Sequence, residues 1–331
     1  MTVCIRDNWV NIQMRISVAL CTYNGEKFLS RQLENISAQS RQVNELIICD
    51  DGSSDGTLGI VTEYSAYAGF PVTVVQNEKN LGCAKNFEKA MGLCSGDIIV
   101  LCDQDDIWLP DKIKVLESVF IKNANCGMTF TDAQTIDEAE GLLSRSLWAC
   151  VGLNNYKRRI IKHGKGYKIF SGNNFVTGAT AAVTKSFFEE ALPFPEGLLH
   201  DHWLATVAAV QKRLCFSEEF TIQYRRHVSQ QVGCNTPMSF QKRIALDASY
   251  DQILFLTAVV SKALKEKKLL TKKHLKIFFR RTKYYTFRKN LPRNRFVRLF
   301  KILGHLLKGN YRLFGSGVYS AVKDFLKRNA R

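Results

Sequence analysis

Residues 97–108 have the sequence DIIVLCDQDDIW, an apolar run that ends in three carboxylates within four residues. The segment 97–101 has the length and composition of a buried strand. The carboxylates of Asp103, Asp105 and Asp106 repel one another, and burying part of their charge is costly without a cation. A solvated acidic loop is the alternative, but apolar residues lie on both sides of this stretch. We therefore expect Mg²⁺ or Mn²⁺ to bind here together with phosphate oxygens.

Strands and helices alternate around this run. The predicted strands cover residues 16–20, 45–49, 72–76, 97–101 and 127–131. The predicted helices, each with apolar residues three and four apart, cover residues 27–39, 57–68, 84–94 and 111–122. This alternation predicts an α/β fold with an open, mostly parallel sheet flanked by helices. In such sheets ligands bind at the carboxyl ends of the strands.

The rest of the chain has a different pattern. Residues 142–175 show no period, and we predict a mobile loop there. Later elements are predicted as strands at 178–183 and 221–225 and helices at 185–191 and 201–212. Basic helices are predicted at 240–265, 272–289 and 296–308.

Charge is distributed unevenly along the 331 residues. Positions 236–331 carry 24 Lys and Arg against 4 Asp and Glu, whereas the preceding positions carry 23 against 26. This charge distribution predicts a basic helical region (236–331) that follows a separate domain (15–235). The first residues carry no periodic pattern, and we predict a short N-terminal extension (1–14) there. Translation starts at Met1 or at Met14. Basicity alone does not distinguish nucleic acid, anionic lipid and acidic substrate as partners.

Cysteine usage and hydropathy predict a cytoplasmic protein. The ten cysteines form no CxxC pair, and several end apolar strands, as reduced thiols do. No apolar stretch approaches the roughly 18–20 residues that span a bilayer, and the first residues lack a signal-peptide core.

Two polar clusters follow the first two predicted strands. The first contains Thr22, Tyr23, Asn24 and Glu26, where a Tyr can stack on a base; a simple turn with a helix cap is the alternative. The second contains Asp50, Asp51, Gly52 and Ser53, whose carboxylates can accept bonds from a pyrimidine or a ribose. Calcium binding by an EF-hand loop is not expected, because Thr62 stands where that loop needs Glu. A helix cap at Ser54 or Asp55 is the plain alternative.

Two more clusters lie further along. Residues 200–203 are HDHW, where Asp201 is a candidate general base for an acceptor hydroxyl. The alternatives are a helix cap and a structural zinc site at His200 and His202, for which no third ligand has finger-like spacing. Residues 224–227 are YRRH, which offers cations and one possible metal ligand, His227.

In this order the motifs resemble glycosyltransferase family 2, over about residues 15–233. They are TYNGE from Thr22, DDGSSDGT from Asp50, Asn80-Leu81-Gly82 with Lys85 and Asn86, DQDDIW from Asp103, HDHW and YRRH. The resemblance implies a GT-A fold. The form CDQDDIW is similar to the rhamnosyltransferase-like branch of O-antigen and cell-wall polysaccharide synthesis.

The resemblance also implies roles for individual residues. Tyr23 would flank the donor base and Asp51 would bind its pyrimidine. Asp103 and Asp105, with His227, would hold the metal, and Asp201 would be the catalytic base. Further donor contacts are assigned to Thr22, Asn24, Glu26, Asp50, Lys85 and Gln104. Val228 and Gln230 depart from the family, which usually has Gly and Asn there.

The activity that the resemblance implies is inverting, metal-dependent transfer of a sugar from a dTDP- or UDP-sugar to a polysaccharide or lipid-linked glycan. The branch resemblance implies rhamnose as the sugar. A nucleotidylyltransferase is an alternative, although its Gly-rich basic loop after the first strand is missing. A nucleic-acid-binding protein is another, but we expect no nucleic acid partner. A dinucleotide-binding oxidoreductase is not expected, since no GxGxxG follows the first strand.

The C-terminal segment from Phe296 onward can place apolar side chains on one helical face. These are Phe296, Leu299, Phe300, Leu303 and Leu307, flanked by Arg295, Arg298 and Lys301. Either this face packs on the catalytic domain or it lies on the anionic inner leaflet of the cell membrane.

Overall fold

The computed structural model describes residues 14–227 and 250–327, together with the backbone of residues 2–5 and 8–11. The two N-terminal segments form an antiparallel pair, β1 (Thr2–Ile5) and β2 (Asn8–Asn11). Val228, Gln230 and the first part of the predicted helix 240–265 lie outside the described residues.

A six-stranded sheet forms the centre of the molecule, in the order β5-β4-β3-β6-β11-β8. Its strands are β3 (Ile16–Thr22), β4 (Glu45–Asp50), β5 (Val72–Gln76), β6 (Ile98–Cys102), β8 (Met128–Phe130) and β11 (Ala181–Thr184). The strands β3, β4, β5 and β6 are parallel to one another, and β11 is antiparallel to β6 and β8. The predicted mostly parallel sheet is therefore confirmed. The predicted strand at 178–183 starts later, because Gly178–Thr180 form a 3-10 turn.

Helices cover both faces of this sheet. They include α1 (Glu26–Ser37), α2 (Thr57–Ser65), α3 (Cys83–Leu93) and α4 (Lys112–Lys122). Because neighbouring residues of a strand point to opposite faces, Val18 packs in the core with α1 and Ala19 packs in the core with α3. Both faces of the sheet are thus buried, which explains the nearly continuous apolar strands.

A second sheet has the order β10-β9-β12-β7. Its strands are β7 (Ile107–Trp108), β9 (Asp132–Ile136), β10 (Leu142–Ser144) and β12 (Phe220–Arg225). The acidic stretch Asp103 to Asp106 lies between β6 of the central sheet and β7 of the second one. It therefore occupies the seam between the two sheets, at the carboxyl end of β6.

The prediction of a mobile loop at 142–175 is wrong. This segment contains β10, α5 (Leu147–Val151), α6 (Asn155–Lys162) and a 3-10 turn (Gly166–Lys168). Six of its large apolar residues are buried in the core: Trp148, Leu153, Ile161, Tyr167, Ile169 and Phe170. Ser146 and Asn154 cap the two short helices. The helices are too short to produce a readable period.

The remaining helices lie beyond the central strands. They are α7 (Lys185–Ala191), α8 (His200–Val210), α9 (Tyr250–Glu266), α10 (Lys272–Lys289), α11 (Arg295–Leu307), α12 (Asn310–Phe314) and α13 (Val318–Leu326). Within the described part of the chain, no helix has the length and hydropathy to cross a bilayer.

The basic helices share a hydrophobic core with the rest of the protein. Val260 and Ile277 belong to the same buried cluster as Tyr167 and Phe170. Inside the helical region, Arg288 donates two hydrogen bonds to Asp324, at 2.7 and 2.9 Å. The domain boundary at 235/236 stays a prediction, but the apolar contacts cross it.

Candidate active site

A cavity of about 530 Å³ opens at the carboxyl ends of β3 and β6, facing the start of α8. Nine of the predicted site residues line it: Thr22, Tyr23, Asn24, Asp51, Asp103, Gln104, Asp105, Asp201 and His227. The structure thus brings together residues that are up to about 200 positions apart in the chain. The topology explains this, because parallel strands end at the same edge of the sheet.

Asp51 is held firmly at the rim of this cavity. Its carboxylate accepts hydrogen bonds from the Asn77 side chain at 2.8 Å, the Leu81 amide at 2.8 Å and the Gly82 amide at 2.9 Å. Only 3% of the residue is exposed, whereas 37% of Tyr23 is exposed. The loop after β5 is therefore anchored by Asp51, and the Tyr23 ring is the accessible aromatic surface on this side.

The first polar cluster is connected directly to the acidic one. The Gln104 side chain accepts a bond from the Tyr23 amide at 2.9 Å and donates one to the Tyr23 carbonyl at 3.0 Å. Gly25 makes this possible, since a Cβ atom there would lie 2.2 Å from the Gln104 Oε1. Two hydrogen bonds therefore link the two clusters.

Three predicted donor-binding residues do not line the cavity. Asp50 is fully buried and accepts bonds from Thr22 and from the Ser53 amide, both at 2.8 Å. Glu26 accepts a bond from the Gly56 amide at 2.6 Å. Lys85 pairs with Glu88 at 2.6 Å. These side chains shape the surrounding loops and helix starts.

The acidic cluster has unusual electrostatics. Burial, followed by the charges of Asp105 and Asp201, raises the pKa of Asp103 to about 7. Asp105 lies 2.8 Å from the Nε2 of His227. Asp106 faces Arg225, whose backbone amide donates to it at 2.9 Å, and burial raises the pKa of Asp106 well above its usual value.

Two cations support the back of this cluster. Lys112 is fully buried, and its ammonium lies 4.2 Å from the Trp108 ring centroid and donates to the Ala179 carbonyl. Burial lowers the pKa of Lys112 to about 8. The Arg225 side chain donates to the Asp105 carbonyl at 2.9 Å, so it positions the acidic loop rather than lining the cavity.

The residues fit a divalent cation shared with a ligand. Within the described residues, no group of three or more His, Cys, Asp and Glu side chains is arranged to hold a metal ion alone. Mg²⁺ and Mn²⁺ sites often use only one or two carboxylates, with phosphates and water completing the shell. Asp105 is buried beside the half-buried Asp103, and the repulsion between the two carboxylates is what a cation relieves. The two carboxylates therefore supply the oxygen ligands and the negative charge that suit such an ion.

Asp201 faces the acidic cluster from the first turn of α8. One carboxylate oxygen accepts bonds from Asn174 at 2.9 Å and from the His202 amide at 2.6 Å. The other accepts a bond from the Gly178 amide at 3.1 Å. Burial raises the pKa of Asp201 to about 6 despite these bonds. A fixed carboxylate with this pKa suits a general base near neutral pH.

The two histidines beside Asp201 do not form a zinc pair. His200 stacks on Phe87, with ring centroids 4.0 Å apart, and burial lowers its pKa to about 3. Burial and the charge of Arg281 lower the pKa of His202 to about 4. The imidazoles therefore have separate environments, and the structural-zinc alternative is discarded.

Sequence reasoning missed the support for Asp201. Asn174 holds the carboxylate directly, and the neighbouring Asn173 accepts a 2.9 Å bond from Arg281 on α10. Arg281 is fully buried and also donates to Thr257 on α9 at 2.9 Å. Close by, Gly172 has φ = 146°, and a Cβ there would lie 2.8 Å from the Arg281 Nε. The sequence SGNNFVTG at 171–178, rich in Gly and Asn, was the available signal.

Comparison with known proteins adds a family match and distant structural neighbours. A model of the family described as "Glycosyl transferase family 2" matches residues 17–192, more than half of the chain. The dTDP-rhamnosyl transferase RfbG of Shigella flexneri is 37% identical over 112 residues, which are 32% of this chain and 39% of RfbG. The Escherichia coli UDP-Glc:alpha-D-GlcNAc-diphosphoundecaprenol beta-1,3-glucosyltransferase WfgD is 32% identical over 108 residues, 33% of this chain and 42% of WfgD.

Two solved structures share the fold. S. aureus TarS 1-349 in complex with UDP-GlcNAc superposes with a TM-score of 0.56 at 19% identity, covering 83% of this chain and 73% of TarS. The mannosyltransferase PcManGT from Pyrobaculum calidifontis, in complex with GDP-Man and Mn²⁺, superposes with a TM-score of 0.51 at 15% identity. The match covers 85% of this chain and 84% of PcManGT. The chain spans less than half the length of several curated relatives that it matches.

Proposed function

Since the chain belongs to glycosyl transferase family 2 and has the predicted GT-A fold, we propose that it transfers one sugar from a nucleotide diphosphate donor to a glycan acceptor with inversion. One observation carries this proposal. A single cavity holds an acidic pair, the half-buried Asp103 and the buried Asp105, opposite a separately supported carboxylate, Asp201. The family match removes the nucleotidylyltransferase alternative.

The proposed chemistry assigns one task to each side of the cavity. Asp201 accepts the proton of an acceptor hydroxyl, whose oxygen forms a bond to the anomeric carbon. The bond from that carbon to the diphosphate oxygen breaks on the opposite face, so the anomeric configuration inverts. Asp103 and Asp105, with His227, would hold the cation, which when bound would offset the charge of the departing diphosphate. No covalent intermediate with a second carboxylate is needed.

We propose a pyrimidine nucleotide donor. Tyr23 offers its exposed ring, and the Asp51 carboxylate, held by three hydrogen bonds, lines the same cavity. By their names, RfbG uses a dTDP-sugar and WfgD uses UDP-Glc. The name of RfbG also supports rhamnose as the sugar, and the name of WfgD supports a lipid-linked glycan as the acceptor.

A thermal-shift screen tests the donor class. With Mn²⁺ present, UDP and dTDP are expected to raise the melting temperature more than GDP does, because a ligand that binds only the native state stabilises it. Loss of the UDP or dTDP shift in EDTA would agree with a shared cation. A larger shift with GDP would contradict the pyrimidine assignment.

The pH dependence of turnover follows from the raised pKa of Asp201. A base must be deprotonated to accept a proton, so at saturating substrate kcat should rise about tenfold per pH unit up to about pH 6 and level off above it. The measurement is kcat between acid and neutral pH, with the melting temperature followed in parallel. A kcat that falls as pH rises through 6 would exclude Asp201 as the base.

We also propose that the protein is cytoplasmic and attaches to the inner face of the cell membrane through α11. The apolar face of this helix points outward, with Phe296, Phe300 and Leu307 exposed by 76, 72 and 90%. Packing of this face on the catalytic domain is therefore not what supports the helix. The prediction that Arg298 flanks the face is wrong, since it is buried and donates to the Pro292 carbonyl at 2.7 Å. Such apolar faces with nearby basic residues bind anionic bilayers.

The Phe296→Ser/Phe300→Ser variant tests this attachment. We expect it to lower the affinity for vesicles containing anionic lipid by ~10-fold or more, because two large apolar side chains no longer enter the bilayer. Vesicle flotation at low and high salt is the measurement. Tyr67→Ser is the matched control, since Tyr67 is 70% exposed and lies on the catalytic domain. An equal loss of vesicle affinity in the α11 variant and in the control would contradict membrane attachment through α11.

A further inference from the structure

A second cavity, the basic cavity, lies between α6 and the C-terminal helices and has a volume of about 540 Å³. Its lining residues are Tyr156, Arg159, Ile160, His163, Lys165, Lys168, Arg280, Lys308, Gly309 and Leu313. It shares no described lining residue with the active-site cavity. Six of its ten described lining residues are basic and none is acidic.

Four of the basic side chains that line this cavity have no hydrogen-bond or ion-pair partner in the described part of the chain. They are the side chains of Arg159, Lys165, Lys168 and Lys308. Like charges gathered around a concave surface repel one another, and a bound anion relieves that repulsion.

One side of the cavity is already ordered for such an anion. The Arg280 guanidinium donates to the Asn310 side chain at 2.5 Å and to the Lys308 carbonyl, which fixes its plane. The Nδ1 of His163 lies 2.6 Å from the Arg159 carbonyl and donates to it. Arg and Lys clusters of this kind recognise phosphate groups, through both charge and multiple N–H donors.

The position of the cavity indicates the source of that phosphate. Its rim includes Lys308, which directly follows Leu307, the most exposed apolar residue of the α11 face. An anion in the cavity would therefore lie close to Leu307, one of the side chains that we propose enter the membrane. In a bilayer, the lipid phosphate groups lie just outside the hydrocarbon region, which is where the cavity would lie if the apolar side chains of α11 enter that region.

We propose that the basic cavity binds a phosphate group carried by a membrane lipid. This inference goes beyond sugar transfer and rests on the proposed contact of α11 with the membrane. The same cavity chemistry suits a soluble phosphate compound, so the test must separate the two sources.

The test uses the full chain in metal-free buffer with two probes. One probe is inorganic pyrophosphate, and the other is a phosphatidylcholine vesicle with or without phosphatidic acid. The variant is Lys165→Gln/Lys168→Gln. The control is Lys114→Gln/Lys122→Gln, which removes the same charge from exposed positions of α4 that do not line the cavity.

The cavity variant should bind phosphatidic acid vesicles about 30-fold more weakly than the wild type. The reason is that it lacks two cations, each of which contributes a factor of about five to the affinity for an anionic surface. The control should change by less than about threefold. Pyrophosphate should displace the wild-type protein partly from these vesicles. Equal losses in variant and control would overturn the proposal. So would loss of pyrophosphate binding with unchanged vesicle binding, which would assign the cavity to a soluble phosphate compound.

The outcome is independent of the proposed transfer reaction. Binding of UDP or dTDP with Mn²⁺, followed by thermal shift, should be the same in the cavity variant and in the wild type, because neither lysine lines the active-site cavity. A wild type that binds phosphatidic acid but no nucleotide would contradict the donor assignment alone.

Discussion

The Asp201→Asn variant is expected to transfer sugar at least ~10²-fold more slowly than the wild type, while its affinity for the nucleotide is nearly unchanged. The amide cannot accept the hydroxyl proton, but it has the size of the carboxylate and retains an oxygen for the Asn174 bond. Single-turnover rates and donor titrations of the purified variant measure the two effects separately.

A matched control for this variant is Glu196→Gln, which neutralises an exposed carboxylate shortly before α8. It should be close to wild type in both measurements. If Asp201→Asn loses donor affinity and rate together, Asp201 belongs to the donor site, and the proton acceptor must be another group. The pH profile of the variant should also lose the rise below about pH 6.

Replacing Asp105 by Asn should reduce turnover by about 10³-fold, on the scale of the several kcal/mol that a metal ion contributes to the stabilisation of a developing charge. The amide keeps the volume of the carboxylate and can still contact His227, which lies 2.8 Å from Asp105 in the wild type. Turnover as a function of Mn²⁺ concentration, before and after EDTA, is the measurement.

The control for this substitution is Asp111→Asn. Asp111 is exposed, belongs to the same stretch of sequence, and its side chain accepts a bond from Ser40 at 2.5 Å. Its turnover and metal dependence should match those of the wild type. Full activity of Asp105→Asn in EDTA would rule out a cation at the acidic pair.

The strands and their ligand-binding edge were predictable because they depend on local patterns. A strand such as β6 is buried on both faces, so its residues 98–102 are continuously apolar and the polar ones start where the strand ends. Asp103 and Asp51 could therefore be placed near one another before their contacts were known. Asp201 does not follow a strand, and only the family resemblance brought it to the same site. Asp50, next to Asp51, shows the limit of this reasoning: its bonds to Thr22 and Ser53 turn it into the loop.

Features that depend on distant contacts could not be predicted in this way. Residues 142–175 lack a period because their short helices are held by isolated aromatic anchors such as Trp148. Arg298 looks like a surface cation in sequence, yet it is buried and caps the carbonyl groups at the end of α13. The bond from Arg281 to Asn173 spans 108 positions, and no local pattern reports such a contact.

That contact limits how this protein can be recombined with its relatives. Arg281 of α10 holds Asn173, and the adjacent Asn174 holds Asp201, so the basic helices set the geometry of the proposed base. A chimera that takes its C-terminal helices from another glycosyltransferase would keep Gly172 and Asn173 but would lack the Arg281 guanidinium that these two residues contact. The loop at 171–178 and α10 therefore have to be exchanged together, and in evolution we expect them to diverge as a pair.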